Sequence, residues 1–440
     1  MADLTTIEWT ATRRPDGTVL PGYSFNPWRG CQKVSPGCKF CYAEVQSKRN
    51  PSVLGEWGPG SARVIAAHKY WLKPERWNAE AQVAGIRRKV FCASIADVFE
   101  DRPDLHAPRL QLFDLVRRTP WLDWLFVTKR PENILPALDH AIEAVGAEMV
   151  STELGSWLLS WRRGCPPTNL WLGTSVENQD MANERIPQLL AVPAAIRFLS
   201  CEPLLGPVDL PLAYCNNCFA FTKTREVNSG KDWGCASCGT YKGSYKGRAW
   251  KPPTKHCGID WVIVGGESGA HARPMHPAWA RSLREQCQAA GVAYFFKQWG
   301  EWGPAAYNSE CMTRRLCANW VGVDVAGVGL PSFRDDAGEG GGWFIQAGSG
   351  GSTVLARYGK HAAGRLLDGR EYNQTPESPM ESEKGEERPT GRCSSCGCTE
   401  LDCSGCVERT DEPCSWAGPN LCSACVPKPP KRRRNNLLAS

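Results

Sequence analysis

The stretch Asn26-Pro-Trp-Arg-Gly-Cys31-Gln-Lys-Val-Ser-Pro-Gly-Cys38-Lys-Phe-Cys41-Tyr-Ala-Glu44 sets three cysteines at C-x6-C-x2-C in a loop rich in Pro and Gly. Such a loop presents three thiolates to one region, and thiolates are the ligands that soft metals and iron-sulfur clusters select. Four would close a structural zinc site. Three leave a coordination position open, where a cofactor or chemistry can enter. A zinc loop completed by a distant fourth ligand is the competing account.

Elements that can position this loop follow it in a regular rhythm. Apolar runs of strand length recur at Lys89-Val-Phe-Cys-Ala-Ser94, Trp124-Leu-Phe-Val-Thr128, Asn169-Leu-Trp-Leu-Gly-Thr174, Ile196-Arg-Phe-Leu-Ser200, Asp260-Trp-Val-Ile-Val264 and Val292-Ala-Tyr-Phe-Phe296. Another strand is expected near residues 23–27. Helix-length segments lie between most of them. Trp279, Leu283 and Cys287 fall at i, i+4 and i+8 after Pro277, a favourable first-turn residue. Residues 134–147 and 178–191 read as helices too. Strands alternating with helices imply a parallel sheet, and near-continuous apolar strands imply that both faces are covered. The expected fold class is α/β, a partial or complete parallel β/α barrel.

In such a fold the site is built just past the strand ends. The polar residues there are Asp97, Lys129 with Arg130, Ser175 with Glu177, Glu202, Glu267 with Ser268, and Gln298 with Glu301. Gly265-Gly266-Glu267 reads as a place where backbone approaches a cofactor closely while a carboxylate holds an amine or hydroxyl. For any single one of these residues, a solvated rim is the competing explanation.

An insertion at about residues 211–257 carries Cys215-Asn-Asn-Cys218 and Cys235-Ala-Ser-Cys238. Two such knuckles form a zinc-ribbon pattern, with a second iron-sulfur cluster as the alternative. Around them Phe221, Trp233 and Tyr245 alternate with Lys and Arg, a mixture suited to stacking on bases beside phosphate contacts. The insertion follows the fifth repeated strand, so it is expected to leave from the active face. Residues 371–391 are poor in large apolar side chains and read as a disordered linker. In 392–426 stand Cys393, Cys396, Cys398, Cys403, Cys406, Cys414, Cys422 and Cys425. So short a segment cannot bury a core, so zinc must supply its folding energy, through all eight thiolates or a subset. A basic tail, 427–440, ends the chain.

The 440 residues carry a net charge of +6, too little for the overall field alone to imply nucleic acid. No run is long enough to span a membrane, and no apolar signal core opens the sequence. Most of the 22 cysteines pair as C-x2-C, which reads as metal ligation in a reducing, cytoplasmic compartment. Seven histidines without H-x3-H or H-E-x2-H spacing argue against a histidine-ligated catalytic metal.

Several ordered stretches carry a family likeness. They are Thr6-Ile-Glu-Trp-Thr10, Asn26-Pro-Trp-Arg-Gly-Cys31, Val34-Ser-Pro-Gly-Cys38, Cys41-Tyr-Ala-Glu44, Ser94-Ile-Ala-Asp97-Val-Phe99, Val127-Thr-Lys-Arg130, Gly173-Thr-Ser-Val-Glu177, Ser200-Cys-Glu-Pro-Leu204, Gly265-Gly-Glu-Ser268 and Gly359-Lys-His-Ala-Ala-Gly-Arg-Leu-Leu-Asp368. Over residues 1–370 the chain resembles the three-Cys-motif, radical S-adenosylmethionine-like proteins of phages and bacteria, a family of unknown function. Ordinary radical enzymes of this type have C-x3-C-x2-C, so the first gap here is longer.

The resemblance implies a 4Fe-4S cluster on Cys31, Cys38 and Cys41, whose fourth iron binds the methionine amine and carboxylate of S-adenosylmethionine. Reduction of the sulfonium would yield an adenosyl radical that abstracts a substrate hydrogen. Ser94, Asp97, Lys129, Ser175, Glu177, Glu202, Gly265, Gly266 and Glu267 become the expected cofactor-binding residues. An electron-donor protein is the expected partner, the host cytoplasm the location if the gene is a phage's, and a nucleic acid or nucleobase the expected substrate, with a peptide as the competing class. A non-catalytic, zinc-dependent nucleic-acid-binding protein is the alternative from another class.

Overall fold

The computed structural model describes residues 4–14, 16–146, 152–215, 220–222, 224–227, 232–235, 258–304, 320–323, 353–378, 416–418 and 421–422. Seven strands form one sheet in sequence order: β1 (Tyr23–Ser24), β2 (Arg88–Cys92), β3 (Leu122–Thr128), β4 (Leu170–Ser175), β5 (Ile196–Cys201), β6 (Trp261–Gly265) and β7 (Ala293–Gln298). Every neighbouring pair is parallel. The helices of eight or more residues among the described ones are α1 (Tyr42–Arg49), α2 (Lys73–Ala84), α3 (His106–Arg118), α4 (Ile134–Val145), α5 (Glu153–Arg162), α6 (Gln179–Leu190) and α7 (Pro277–Ala290). All seven expected strands are present.

The two-residue period of a strand sorts the side chains. Val90, Trp124, Phe126, Leu172, Leu199, Val262, Val264, Tyr294 and Phe296 pack against the helices. Leu125, Trp171, Phe198, Trp261, Ile263 and Phe295 form a second core on the other face, around Trp9. That second core requires the sheet to curl. In a flat sheet β2 and β6, four strands apart, would be roughly 19 Å from each other. Yet the Trp9 ring lies 4.8 Å from Phe91 of β2 and 6.1 Å from Trp261 of β6. β1 and β7 are not paired with each other, so the sheet is a curled half-barrel.

The first-turn proline expected from the sequence is in place, and two caps accompany it. Asn178 accepts from the Met181 N–H to start α6, and Pro277 sits in the first turn of α7. Gly291 ends α7 at φ 69°, a left-handed position that glycine fills without a Cβ clash.

Two expectations about boundaries change. The chain divides into Met1–Ser378 and Pro379–Ser440, so the first unit runs eight residues past the expected end at 370. Residues 372–374 belong to it because they cover the open edge of β7: Phe296 N–H donates to Tyr372 O at 2.9 Å and Gln374 N–H to Tyr294 O at 3.2 Å. The insertion also departs from a different place. Leu204 and Leu205 N–H donate to Gly265 O and Glu177 O at the strand ends, but the chain then descends along the helices. Leu210 N–H donates to Gln286 Oε1 at 2.7 Å, nine residues and roughly 13 Å along α7. Leu210 and Leu212 are buried in the helix-side core. The insertion is therefore rooted on the flank of the helix layer and not on the face at the strand ends.

Within the insertion, Ala213–Cys215 pairs with Ala220–Thr222 and Thr224–Val227 with Asp232–Cys235, two hairpins that carry the backbones of Cys215 and Cys235. Cys218 and Cys238 lie outside the described residues. In the second unit Cys422 lies in a strand paired with Trp416–Gly418, and Cys393, Cys396, Cys398, Cys403, Cys406, Cys414 and Cys425 lie outside the description. Among the described residues no helix is long and apolar enough to cross a membrane.

Candidate functional site

Four carboxylates stand past the ends of β2, β4, β5 and β6, and each is paired with a cation. Asp97 meets Arg130 at 2.9 Å, Glu177 meets Arg185 at 2.8 Å and Lys129 at 3.2 Å, Glu202 meets Lys297 at 3.2 Å, and Glu267 meets Arg273 at 2.7 Å. The ring runs from the end of β2 to β7. It gathers Asp97, Lys129, Glu177, Glu202 and Glu267 on one face, with Ser175 buried at the end of β4.

The three-Cys loop crosses this ring as a bridge. At its start, Asn26 holds the loop to the end of β2: its amide donates to Ser94 Oγ at 3.1 Å and its carbonyl accepts from Ile95 N–H at 3.0 Å. Arg130 Nη2 donates to Gln32 O at 3.0 Å, while Nη1 lies 3.9 Å from Cys31 Sγ. Midway, Ser35 Oγ donates to Glu177 Oε1 at 2.7 Å. Gly37 packs directly on that carboxylate, where an added Cβ would sit 2.4 Å from Oε1. At its far end, Phe40 lies 5.2 Å from the Arg273 guanidinium and 5.6 Å from the His271 ring, both in the segment after β6. The loop thus touches residues following β2, β3, β4 and β6.

Beneath Cys31 the charges are buried and balanced. Asp97 also accepts from Thr128 Oγ1 at 2.7 Å and from Phe99 and Lys129 N–H at 3.0 Å each. Arg63 grips Glu100 at 2.7 and 2.8 Å, with both side chains fully buried. Gly58, whose carbonyl accepts from Arg63 at 3.1 Å, donates its N–H to Cys31 O at 2.9 Å. Burial pushes the Cys31 thiol up to about 12; Asp97 adds to the rise and Arg130 opposes it. Burial raises the Cys41 thiol as well. For Glu177, burial alone raises the carboxyl, but Lys129 and Arg185 outweigh it and hold it below the ordinary range.

The expected cofactor-binding residues therefore differ in what they are free to do. Glu177, fully buried, is committed to Ser35, Lys129 and Arg185, and Asp97 to four donors. Ser94 is bonded to Asn26. Glu267 is gripped by Arg273 through both oxygens. Gly265 lies against Glu202, where an added Cβ would come 2.3 Å from Oε1. Gly266 allows a close backbone approach, but to Trp299, whose carbonyl oxygen would lie 1.9 Å from an added Cβ. Glu202 and Lys297 keep 14% and 23% of their side chains exposed beside this segment.

Sequence reasoning missed the Ser35 and Gly37 contacts with Glu177, because Ser-Pro-Gly reads as turn chemistry alone. It also missed Arg63 with Glu100, since Arg63 precedes the first helix-linked strand of the repeat and nothing in the sequence pairs it with Glu100. The Gly359 to Asp368 motif packs beside the residues that follow β7: Gly359 N–H donates to Glu301 O and Gly364 O accepts from Trp299 N–H, both at 3.1 Å. Asp368 is paired with Arg281 and Arg284 of α7, and Leu366 O accepts from the Trp299 indole.

Among the described residues no group of three or more His, Cys, Asp or Glu is placed to hold a metal ion. The ligands of a cubane cluster bind separate irons and need not converge on one point. The donor set, three thiols of one loop with Arg130 and Lys129 nearby to offset thiolate charge, fits such a cluster. No curated protein and no solved structure matches the chain. A family model described as a protein of unknown function (DUF5131) matches residues 4–376, and the chain belongs to that family.

Proposed function

We propose that this protein is a radical S-adenosylmethionine enzyme whose Cys31, Cys38 and Cys41 hold a 4Fe-4S cluster. The observation that carries the reading is the bridge: a three-thiol loop laid across the C-terminal strand ends of a parallel half-barrel and tied to four of them. When bound, the cluster and S-adenosylmethionine would supply reductive cleavage of the sulfonium and an adenosyl radical. The chain's own residues have three tasks. Asn26, Arg130 and Glu177 fix the loop; the ring of ion pairs orients polar ligand groups; and the aromatic core around Trp9 keeps water from the half-barrel floor.

A nucleic acid or a nucleobase-derived compound is the proposed substrate, on the strength of the cations and aromatics in 211–257. Because that insertion is rooted on the helix flank, it would have to reach back over the strand ends to hold the substrate. We further propose zinc on Cys215, Cys218, Cys235 and Cys238 and on the C-terminal cysteines, an electron-donor protein as partner, and a cytoplasmic setting. The second reading, a non-catalytic zinc-dependent nucleic-acid-binding protein, draws on the same C-x2-C pairs.

Anaerobic reconstitution followed by iron and sulfide analysis separates the two. The expected result is cluster uptake that Cys38→Ala abolishes, with 5′-deoxyadenosine released from S-adenosylmethionine after reduction. Zinc uptake without iron or sulfide, indifferent to Cys38→Ala, would refute the enzyme reading.

A further inference from the structure

We infer that Arg130 is a positioning residue that sets the reduction potential of the cluster by donating to the Cys31 sulfur, an inference that rests on the cluster reading above. The three thiols are in unequal surroundings. Cys38 Sγ lies 3.6 Å from the neutral Ser35 hydroxyl, whereas Cys31 Sγ faces the Arg130 guanidinium at 3.9 Å.

The guanidinium is not free to turn away. Its side chain is 5% exposed; Nη1 is bound to Asp97 and Nη2 to Gln32 O. Asp97 is itself immobilised by Thr128, Phe99 and Lys129. On the opposite side Gly58 N–H holds Cys31 O, and Gly58 O accepts from Arg63, which is locked to Glu100. Both the cation and the backbone that carries the sulfur are therefore fixed in place.

One-electron reduction adds negative charge that spreads onto the cluster and its thiolates. A fixed positive N–H donor beside one thiolate stabilises the reduced form and raises the potential, as hydrogen bonds to cluster sulfurs do. Arginine suits this role because it stays charged and its planar fork serves the carboxylate, the carbonyl and the sulfur together, which a lysine ammonium cannot do in the same geometry. Burial opposes this, since desolvation disfavours the more highly charged state. Arg130 is the charged donor nearest any of the three thiols among the described contacts.

The test compares the intact native chain with Arg130→Lys, which keeps a cation opposite Asp97, and Arg130→Gln, which removes it. Asp97 is left in place in both, because its carboxylate acts on Cys31 with the opposite sign and its removal would mask the effect. Each is reconstituted anaerobically, assayed for iron and sulfide, and titrated with dithionite under EPR. We expect equal cluster content and a lower midpoint potential in Arg130→Gln, with the reduction equilibrium weakened about tenfold, ~59 mV for one electron. Arg130→Lys should fall between it and native.

Coincident potentials at equal cluster content would overturn the inference and leave the cluster reading standing. Loss of loading in both Arg130 variants, with native loading intact, would also overturn it and make Arg130 a folding residue. A native chain that takes up no iron or sulfide would refute the cluster reading, and this inference with it.

Discussion

Glu177 fastens the three-Cys loop to the half-barrel, and its removal has a calculable cost. Its carboxylate accepts from Ser35 Oγ at 2.7 Å, Arg185 Nη1 at 2.8 Å and Lys129 Nζ at 3.2 Å. In Glu177→Gln the shape is kept and the charge is lost. Lys129, 21% exposed, can turn toward water, but the Arg185 side chain is 3% exposed and cannot. Leaving one partner of a buried pair uncompensated costs about 3–5 kcal/mol. The variant should therefore lose stability in that range in urea unfolding followed by tryptophan fluorescence. Glu177→Gln/Arg185→Met, which removes both charges, should recover most of the loss. The pH dependence has a fixed sign. Because the folded carboxyl is held below its ordinary value, its contribution is complete above about pH 4.3 and disappears as pH falls through the lower folded value. Glu177→Gln should flatten that part of the profile. A loss under about 1 kcal/mol, or a double variant as unstable as the two single losses added, would refute the uncompensated-charge argument.

Gly37→Ala should displace the loop, since its Cβ would meet Glu177 Oε1, which Ser35 and Lys129 hold in place. The expected outcome is reduced iron and sulfide uptake with unchanged far-UV circular dichroism; normal uptake would show that the contact is slack. Nucleic-acid binding, measured at several salt concentrations, should weaken steeply with salt and drop when residues 211–257 are removed. Equal binding by both chains would take the insertion out of the substrate site. If zinc holds the segment 392–426 as proposed, chelation should unfold it, because metal binding would then supply most of its folding free energy. Native-like amide dispersion by NMR without metal would contradict that account.

The strand repeat was legible because each strand is apolar on both faces, which only a covered parallel sheet requires. The degree of curl was not, since it depends on Trp9, a residue far in sequence from both Phe91 and Trp261, wedging between β2 and β6. The carboxylates past the strand ends were visible one at a time. Their pairing was not, because Glu202 with Lys297 and Asp97 with Arg130 join residues far apart in sequence. The departure point of the insertion also escaped the sequence. Residues 203–212 look like an ordinary connection, and only the bonds of Leu210 and Val208 to Gln286 reveal that they take the place of a crossover helix.

The ring of ion pairs also decides which polar groups can meet a ligand without dismantling the loop. Asp97 and Glu177 are at least nine-tenths buried and saturated by donors that hold the loop or β3 in place. Any ligand that took them over would have to replace bonds worth about 1.5–3 kcal/mol each. Glu202 and Lys297 carry a lighter load: a 3.2 Å ion pair and a 3.5 Å contact from Ser200, with both side chains partly open. A zwitterionic ligand can exchange that pair for its own amine and carboxylate at modest net cost, since the pair is partly open to water and has fewer donors than Asp97 or Glu177. On this argument Glu202→Gln and Lys297→Met should each weaken S-adenosylmethionine binding about tenfold or more by calorimetry while leaving the urea midpoint nearly unchanged. Asp97→Asn should lower the midpoint first. If binding falls only in variants that also lose stability, the mouth has no ligand groups separate from its scaffold, and this division of the ring is wrong.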